Sequence, residues 1–407
     1  MSNPALSRTF ESNGSLDRWR VLGTPSLSQL IQELKGTAWS CITINSSVCA
    51  SFTPKLFVRT NSQQARPRAV TRALSKAWQR RLKASSPEVE EVVEHPLLTL
   101  LAAVNPVHNS FDLFELTQIY LETIGRAYWY IPRGPSGIPE NIWILPAQNV
   151  TPRAEEGSSN VIDHYEYRTQ KGLEKIAEED VIFFRFPDPR DPYLGGLSPL
   201  RACWEQATLA SQYTSFRLAK FENHAIPDAI VSPEEIMGDD ERERIETAWN
   251  AKFRKSGAGR VVVGESRLRV TLLEHSMGDL AALADAKATK EDIANAFHVP
   301  ISYYTTETNL ANLQAAQELH MSVAINPRLR RRDQTINEKL LPIYDPSGRL
   351  FVCSEDPIPE HRDYVLAQQR QDLELGVLTI NEVRQERGLI PVAWGEIPLG
   401  NHRTVTP

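Results

Sequence analysis

The segment 291–310, EDIANAFHVPISYYTTETNL, constrains this chain more than any other stretch. Proline disfavours a helical conformation in the residue before it, so a helix entering this segment must end near His298, ahead of Val299-Pro300. A new helical pattern begins near Leu310. Between them lies a polar and aromatic loop, ISYYTTETN, without lysine or arginine. A loop projecting between two helices is a contact element. The rest of the chain supplies no catalytic set for it to serve.

With 407 residues, 41% hydrophobic and 24% charged, the chain can build two or three compact units with their own cores. A net charge of −6 excludes a polycation that coats nucleic acid, so any such contact is local or made through shape. Cys41, Cys49, Cys203 and Cys353 lack CxxC spacing, which predicts reduced thiols and cytosolic synthesis rather than disulfides or zinc. No apolar run reaches the roughly 18 residues of a spanning helix, and the first residues lack a signal peptide's apolar centre. No membrane partner and no cofactor are expected.

Along the chain, residues 1–25 read as a mobile N-terminus. Thr37–Ala50 reads as a helix with Trp39, Ile42 and Val48 on its apolar face, and Lys55–Arg59 as a short strand. From Phe111 to Phe186 a helix is followed by strands at 127–131, 142–145, 164–168 and 181–186, an α+β region with antiparallel sheet. Ser198-Pro199 starts a helix to about Asn223, with Leu209, Tyr213, Phe216 and Lys220 on one narrow stripe suited to side-by-side packing with copies or a partner. Strands at 229–232, 260–263 and 269–273 flank a helix over 233–254, and 278–297 is helical. The helix 310–341 contains Pro327, where a kink or break is expected. A strand at 349–353 follows. Helices then run over 361–375, capped by Gly376, and 380–387, opened by the capping box Thr379-x-x-Glu382.

Charge is most uneven between Ser51 and Pro87, which hold no acidic residue and nine basic ones: Lys55, Arg59, Arg66, Arg68, Arg72, Lys76, Arg80, Arg81 and Lys83. Two readings stand, a solvated helix with snorkelling side chains and a patch facing nucleic acid or an acidic partner. Arg328, Arg330, Arg331 and Arg332 would cover most of a helix circumference. They read as structural ion pairs or as contacts to phosphate or a neighbouring subunit.

A search for chemistry finds no enzyme. There is no GxxxxGK[ST], HExxH or GxSxG motif, and no paired carboxylates follow a strand. SGAGR (256–260) precedes a strand, so it reads as a turn. DPRD (188–191) reads as a proline-rich turn, and EHRD (360–363) as a solvated helix start. His164, His275, His298 and His320 stand alone in sequence and read as structural or exposed.

The order of elements resembles the phage portal proteins of the HK97 family. The pieces are AWSCITINSSVCASFTPKLFVR, HPLLTLLAAVNP, IGRAYWYIPR, LPAQNVTP, EEDVIFFRFPDPRDPYLGGLSPL, FENHAIPDAIV, EDIANAFHVP, NPRLRRRDQTINEKLL and GVLTINEVRQERGLIPV. They span Trp39 to Pro398; each is weak alone, and their order and spacing are specific. His298 departs from the family's usual glycine in "FGVP", and Phe183 or Phe184 stands where histidine is common.

The resemblance implies a structural protein with an α+β portal fold: α/β wing (26–197), stem helices (198–225 and 277–299), small α/β clip (226–276), tunnel loop (300–309), kinked tunnel helix with wing return strand (310–356) and helical C-terminal crown (357–407). It implies a homo-dodecameric ring at one vertex of a virion capsid, assembled from host cytoplasm. The ring would pass double-stranded DNA and meet the terminase large subunit, a head–tail adaptor and the major capsid protein. The DNA channel would be lined by Ile301, Ser302, Tyr303, Tyr304, Thr305, Thr306, Glu307, Thr308 and Asn309, with Tyr303 and Tyr304 meeting DNA or a neighbouring subunit. Partner docking in the clip would fall to Glu234, Glu235, Asp239, Arg242, Trp249 and Arg254. The rival classes are another head–tail structural protein, such as an adaptor, and a nucleic-acid-processing enzyme using the basic stretch.

Overall fold

The computed structural model describes residues 25–59, 89–155, 160–223, 289–304, 309–358, 362–387 and 389–398, with short fragments between 230 and 287. Two compact units divide the chain, one ending at Glu355 and one beginning at Asp356. Helices and mainly antiparallel strands make the fold α+β. The basic residues 66–83, Thr305–Thr308 and, of the predicted docking residues, all but Asp239 lie outside the described residues. So do the predicted strand 269–273 and the SGAGR turn.

The first unit opens with α1 (Leu27–Gln32), started by a Ser26/Gln29 capping box. Next come α2 (Gly36–Ser51), β1 (Pro54–Arg59), β2 (Val89–Val92), α3 (Pro96–Ala102) and α4 (Ser110–Ile124). Asn109 and Asp112 form the capping box that starts α4, and Gly125 ends it in the left-handed region at φ +85°. Then follow β3 (Arg126–Tyr130), β4 (Trp143–Leu145), β5 (Val150–Arg153), β6 (His164–Thr169), β7 (Gly172–Ala177) and β8 (Val181–Arg185). Ser198 caps α5 (Pro199–Ala202), and α6 (Trp204–Asn223) continues after Cys203, so the predicted single helix is interrupted there. The two-residue strands β9 (Ile230–Val231) and β10 (Val262–Val263) pair in parallel. Helix α7 covers 289–297.

Helix α8, over 310–344, resolves the proline question. It joins α-helical Leu310–Leu319, π-helical His320–Ile325, α-helical Asn326–Thr335, π-helical Ile336–Leu340 and α-helical Leu341–Tyr344. Pro327 and Pro342 each follow one residue after a π segment. In both cases the residue before the proline donates its N–H five residues back, Asn326 to Met321 and Leu341 to Ile336. The wider turn absorbs the missing donor and the ring, so of the expected kink or break the helix shows no break.

Strand β11 (Leu350–Ser354) returns the chain to the sheet β11-β1-β2, in antiparallel register with Leu56 opposite Val352. Two further antiparallel sheets run β4-β3-β8 and β5-β6-β7. The alternation of Ala127 and Trp129 with Tyr128 and Tyr130 sends the two faces of β3 into different apolar clusters. Trp129 packs on Phe114 and Phe184, and its indole N–H donates to Thr117 Oγ1 at 2.7 Å.

Of the face read from the sequence of α2, Ile42 is buried and Val48 half-buried, but the buried set is wider than that reading. Ala38, Cys41, Ile42, Asn45, Ser46 and Cys49 point inward, while Trp39 is 38% exposed. Small side chains at helical spacing let α2 lie closely against α4, which a tryptophan would prevent. On α6, Leu209 is exposed and Tyr213 half-buried, while the side chains of Phe216 and Lys220 are not among the described residues.

The second unit holds α9 (Arg362–Glu374), ended by Gly376, and α10 (Ile380–Glu386), opened by the predicted Thr379/Glu382 capping box. Among its described residues, Leu375, Val377, Ile390 and Trp394 are exposed.

Gly125 is required twice over, by its positive φ and because an added Cβ would lie 2.5 Å from the backbone of Gly196. Gly137 has a similar φ of +75° in open space. Gly137→Ala should therefore cost about 1 kcal/mol and Gly125→Ala well over about 2 kcal/mol in chemical denaturation. Equal losses would show that the contact with Gly196 contributes nothing.

Candidate functional site

The loop after α7 is aimed by a strained residue. His298 is the one non-glycine residue with positive φ among the described residues, at +59°. Its N–H donates to Asn295 O and that of Val299 to Ala294 O, the paired bonds of a Schellman ending with His298 at the left-handed position. Glycine has no Cβ to strain there, so histidine costs about 1–2 kcal/mol. The surroundings must hold it. Pro300 then permits only a short 3₁₀ turn, Ile301–Tyr303.

What holds it is a chain of buried polar groups. Asn45 on α2 donates through Nδ2 to the Phe297 carbonyl at 3.0 Å. Asn45 Oδ1 must therefore accept, and it does so from His320 Nε2–H at 2.9 Å. That leaves His320 Nδ1 to accept from the Tyr303 hydroxyl at 3.3 Å, with the two rings edge-to-face. Asn45 is fully buried and His320 is 2% exposed. Burial first, then the nearby charge of Arg328, pushes His320 down to about 4, so its ring is neutral at pH 7.

The same Phe297 carbonyl accepts from Arg328 Nη2 at 3.3 Å. Arg328 also binds both carboxylate oxygens of Glu122 on α4, at 2.5 and 3.1 Å, and the Ala324 carbonyl. Gln118 adds a donor to Glu122 at 2.6 Å. Glu122 is fully buried and Arg328 is 9% exposed. Burial opposes the charge on Arg328, but the carboxylate outweighs it and raises the guanidinium above its usual range. One unbroken path thus joins α4, α8, the end of α7, α2 and the loop.

A second anchor fixes α8 to β11. Arg332 donates to the carbonyls of Cys49 and Phe52 and to Ser354 Oγ, and lies 4.5 Å over the Phe114 ring. Asp333 accepts from the N–H and hydroxyl of Ser354. Burial raises Asp333 despite these donors. The Asn337 side chain exchanges both amide bonds with the Val352 backbone, as a strand neighbour would.

Of the two readings of the arginine run, these contacts fit the structural ion pair for Arg328 and Arg332. Arg328 and Arg332 are buried within their own chain and are not free for phosphate or another subunit. Arg331 lies 4.8 Å over Phe186 and is half-buried. Arg330 is exposed and keeps the outward reading. The tyrosines are held from within the chain, and Tyr304 keeps 39% of its surface exposed. Tyr303 binds His320, and the Tyr304 hydroxyl bonds Cys41 Sγ at 3.3 Å, so both are tied to their own chain. Burial raises Tyr304 and Cys41, the latter to about 11, so both stay protonated. Ile301 and Ser302 are half-buried, and Asn309 caps α8. Asp239 is exposed. DPRD is a turn in which Arg190 pairs with Asp188. No group of three or more metal-capable side chains occurs among the described residues. Sequence reasoning missed Asn45, Glu122 and Gln118, although a glutamate and an asparagine on otherwise apolar helix faces were the available signal.

A family model described as phage portal protein matches residues 68–388. No curated protein matches the chain. Among solved structures, the fold is similar to a chain in the neck of an empty gene transfer agent particle computed with C6 symmetry. The TM-score is 0.60 at 15% identity, covering 92% of this chain and 95% of that one. A chain in the neck of the native particle, computed with C12 symmetry, gives 0.59 at 15% identity over 91% and 96%. An HK97 family phage portal protein from Corynebacterium diphtheriae gives 0.50 at 16% identity over 83% and 97%.

Two outcomes are expected for the buried chain. Glu122→Gln strands the Arg328 charge and should lower the unfolding free energy by about 3–5 kcal/mol. The pair Glu122→Leu with Arg328→Met should lose much less than the two single changes together; additive losses in chemical denaturation would show that the two groups are not coupled. His320 binds its proton at about 4 when folded and near 6.5 when unfolded. Its contribution is complete above pH 6.5 and is lost as pH falls toward 4, amounting to about 2–3 kcal/mol. Comparing wild type with His320→Asn between pH 7 and pH 4.5 cancels the carboxylates, and identical pH profiles would contradict this.

Proposed function

The chain belongs to the phage portal protein family, as a structural connector component and not an enzyme; from that membership we propose that twelve copies form a ring at one capsid vertex. In this reading double-stranded DNA passes through the ring during packaging and ejection. The terminase large subunit and later a head–tail adaptor dock on it, and the major capsid protein surrounds it. The observation that carries the reading is the family match over 68–388, which takes in most of the chain and the whole α7–loop–α8 element.

Wing (26–197), stem (198–225 and 277–299), clip (226–276), tunnel loop (300–309), tunnel helix with return strand (310–356) and crown (357–407) are the parts of that ring. Ile301–Asn309 line the channel, with Tyr303 and Tyr304 anchoring the loop rather than gripping DNA. Arg330, which is exposed, and the basic residues 66–83 take the contacts to phosphate or a neighbouring copy. Glu234, Glu235, Asp239, Arg242, Trp249 and Arg254 take the docking role in the clip. The structurally similar neck of the native gene transfer agent particle, computed with C12 symmetry, supports twelve copies, while that of the empty particle was computed with C6. Each chain carries −6, so twelve carry a formal −72, and like charge disfavours tight binding of sliding DNA.

Negative-stain microscopy and light scattering of the purified full chain test this. Rings with a central channel and a mass near twelve chains are expected. A chain that stays monomeric at every concentration, with no ring in particles, would sink the proposal.

A further inference from the structure

The first stretch of α8, Leu310–Leu319, buries none of its residues completely. Its inward side is marked by half-buried Leu313 and Ala316, and then by buried His320 and Ala324. At about 3.6 residues per turn, Ala311, Ala315 and Leu319 fall on the opposite side of the helix. All three are exposed, and the row continues at the same spacing through exposed Val323 and Pro327. Leu310, Leu319 and Val323 keep 70%, 61% and 50% of their surface in solvent. A helix at a protein surface turns its charged and polar side outward, whereas this one is apolar on both sides.

The charge pattern says what suits the outer side. From Asn309 to Pro327 the only Asp, Glu, Lys or Arg is Glu318, in a chain that is 24% charged. A side without cations has nothing to offer the phosphates of DNA. Loss of charge around aliphatic side chains is the composition of the centre of a protein interface. A row at spacing four is also the ridge by which a helix seats in the groove of a neighbour. The row starts directly after the loop 300–309. If the chain forms a ring with that loop in its channel, this part of α8 meets only DNA and the adjoining copies, and its composition disfavours DNA.

We propose that Ala311, Ala315, Leu319 and Val323 form an interface with a second copy of this chain. The proposal rests on the ring reading and adds to it the surface by which one copy meets the next beside the loop. The inner side of α8 is held by His320 and Arg328; the neighbouring copy holds the outer side.

The test uses the full chain as wild type, Leu319→Glu and, as a control at an exposed leucine on β7, Leu173→Glu. Light scattering follows assembly against concentration, and thermal midpoints are taken on the unassembled chain. A glutamate buried without a partner in the interface should raise the concentration needed for assembly about tenfold or more. Leu173→Glu should assemble as wild type does, and both variants should keep the wild-type midpoint. Assembly of Leu319→Glu at the wild-type concentration, or equal weakening in both variants, overturns the proposal while leaving the ring. If the wild type does not assemble at any concentration, the ring and the interface fall together. If Leu319→Glu assembles normally but alters DNA retention in particles, DNA and not a copy covers this side, which also overturns the proposal. Should Leu319→Glu lower the midpoint or fail to fold, Ala315→Gln, which adds neutral bulk to the same row, decides. Its assembly at the wild-type concentration overturns the proposal.

Discussion

A fully buried carboxylate facing a nearly buried guanidinium is the constraint on which this structure turns. Neither Glu122 nor Arg328 can be stable in the interior alone, because removing a single charge from water costs several kcal/mol. Each therefore fixes the other, and with it the relative position of α4 and α8. Arg328 has donors to spare, so the pair extends to the Phe297 carbonyl and from there to Asn45, His320 and Tyr303. The loop at 301–304 inherits its position from a charge pair in the interior.

This arrangement gives the first π segment of α8 a role. It lies between His320 and Arg328, and the register it sets decides which side chains face α2 and α4. It also accommodates Pro327 without a break. The strain at His298 belongs to the same economy: an unfavourable φ persists because the carbonyl just before it is held by Asn45 and Arg328. A loop tied by directional bonds to α8 through Tyr303 and to α2 through Tyr304 is held rigidly.

Much of the fold was legible. The capping box Thr379-x-x-Glu382, Ser198-Pro199, the Gly376 stop and the strand at 127–131 each follow a local rule, and the structure obeys them. The short strands 150–153 and 172–177 were not, because a pattern of four to six residues with polar faces is too brief to distinguish from a loop. On α2, Ile42 points inward as read, but Trp39 does not, because close helix approach favours alanine, cysteine and asparagine beside it. Val299-Pro300 marked the loop, but nothing local marked its anchors.

The sequence by itself determined where elements start and stop, that no familiar catalytic motif is present, and which family order the elements follow. These are short-range or ordered features that a chain carries in one dimension. Tertiary structure alone decided that Arg328 and Arg332 are interior, that Tyr303 and Tyr304 are tied to their own chain, and that Asn45, Glu122 and His320 belong to one path. The partners in that path lie up to 275 residues apart in sequence. Hydrogen bonds and ion pairs depend on distances of about 3 Å and on burial, and neither quantity exists before the chain has folded.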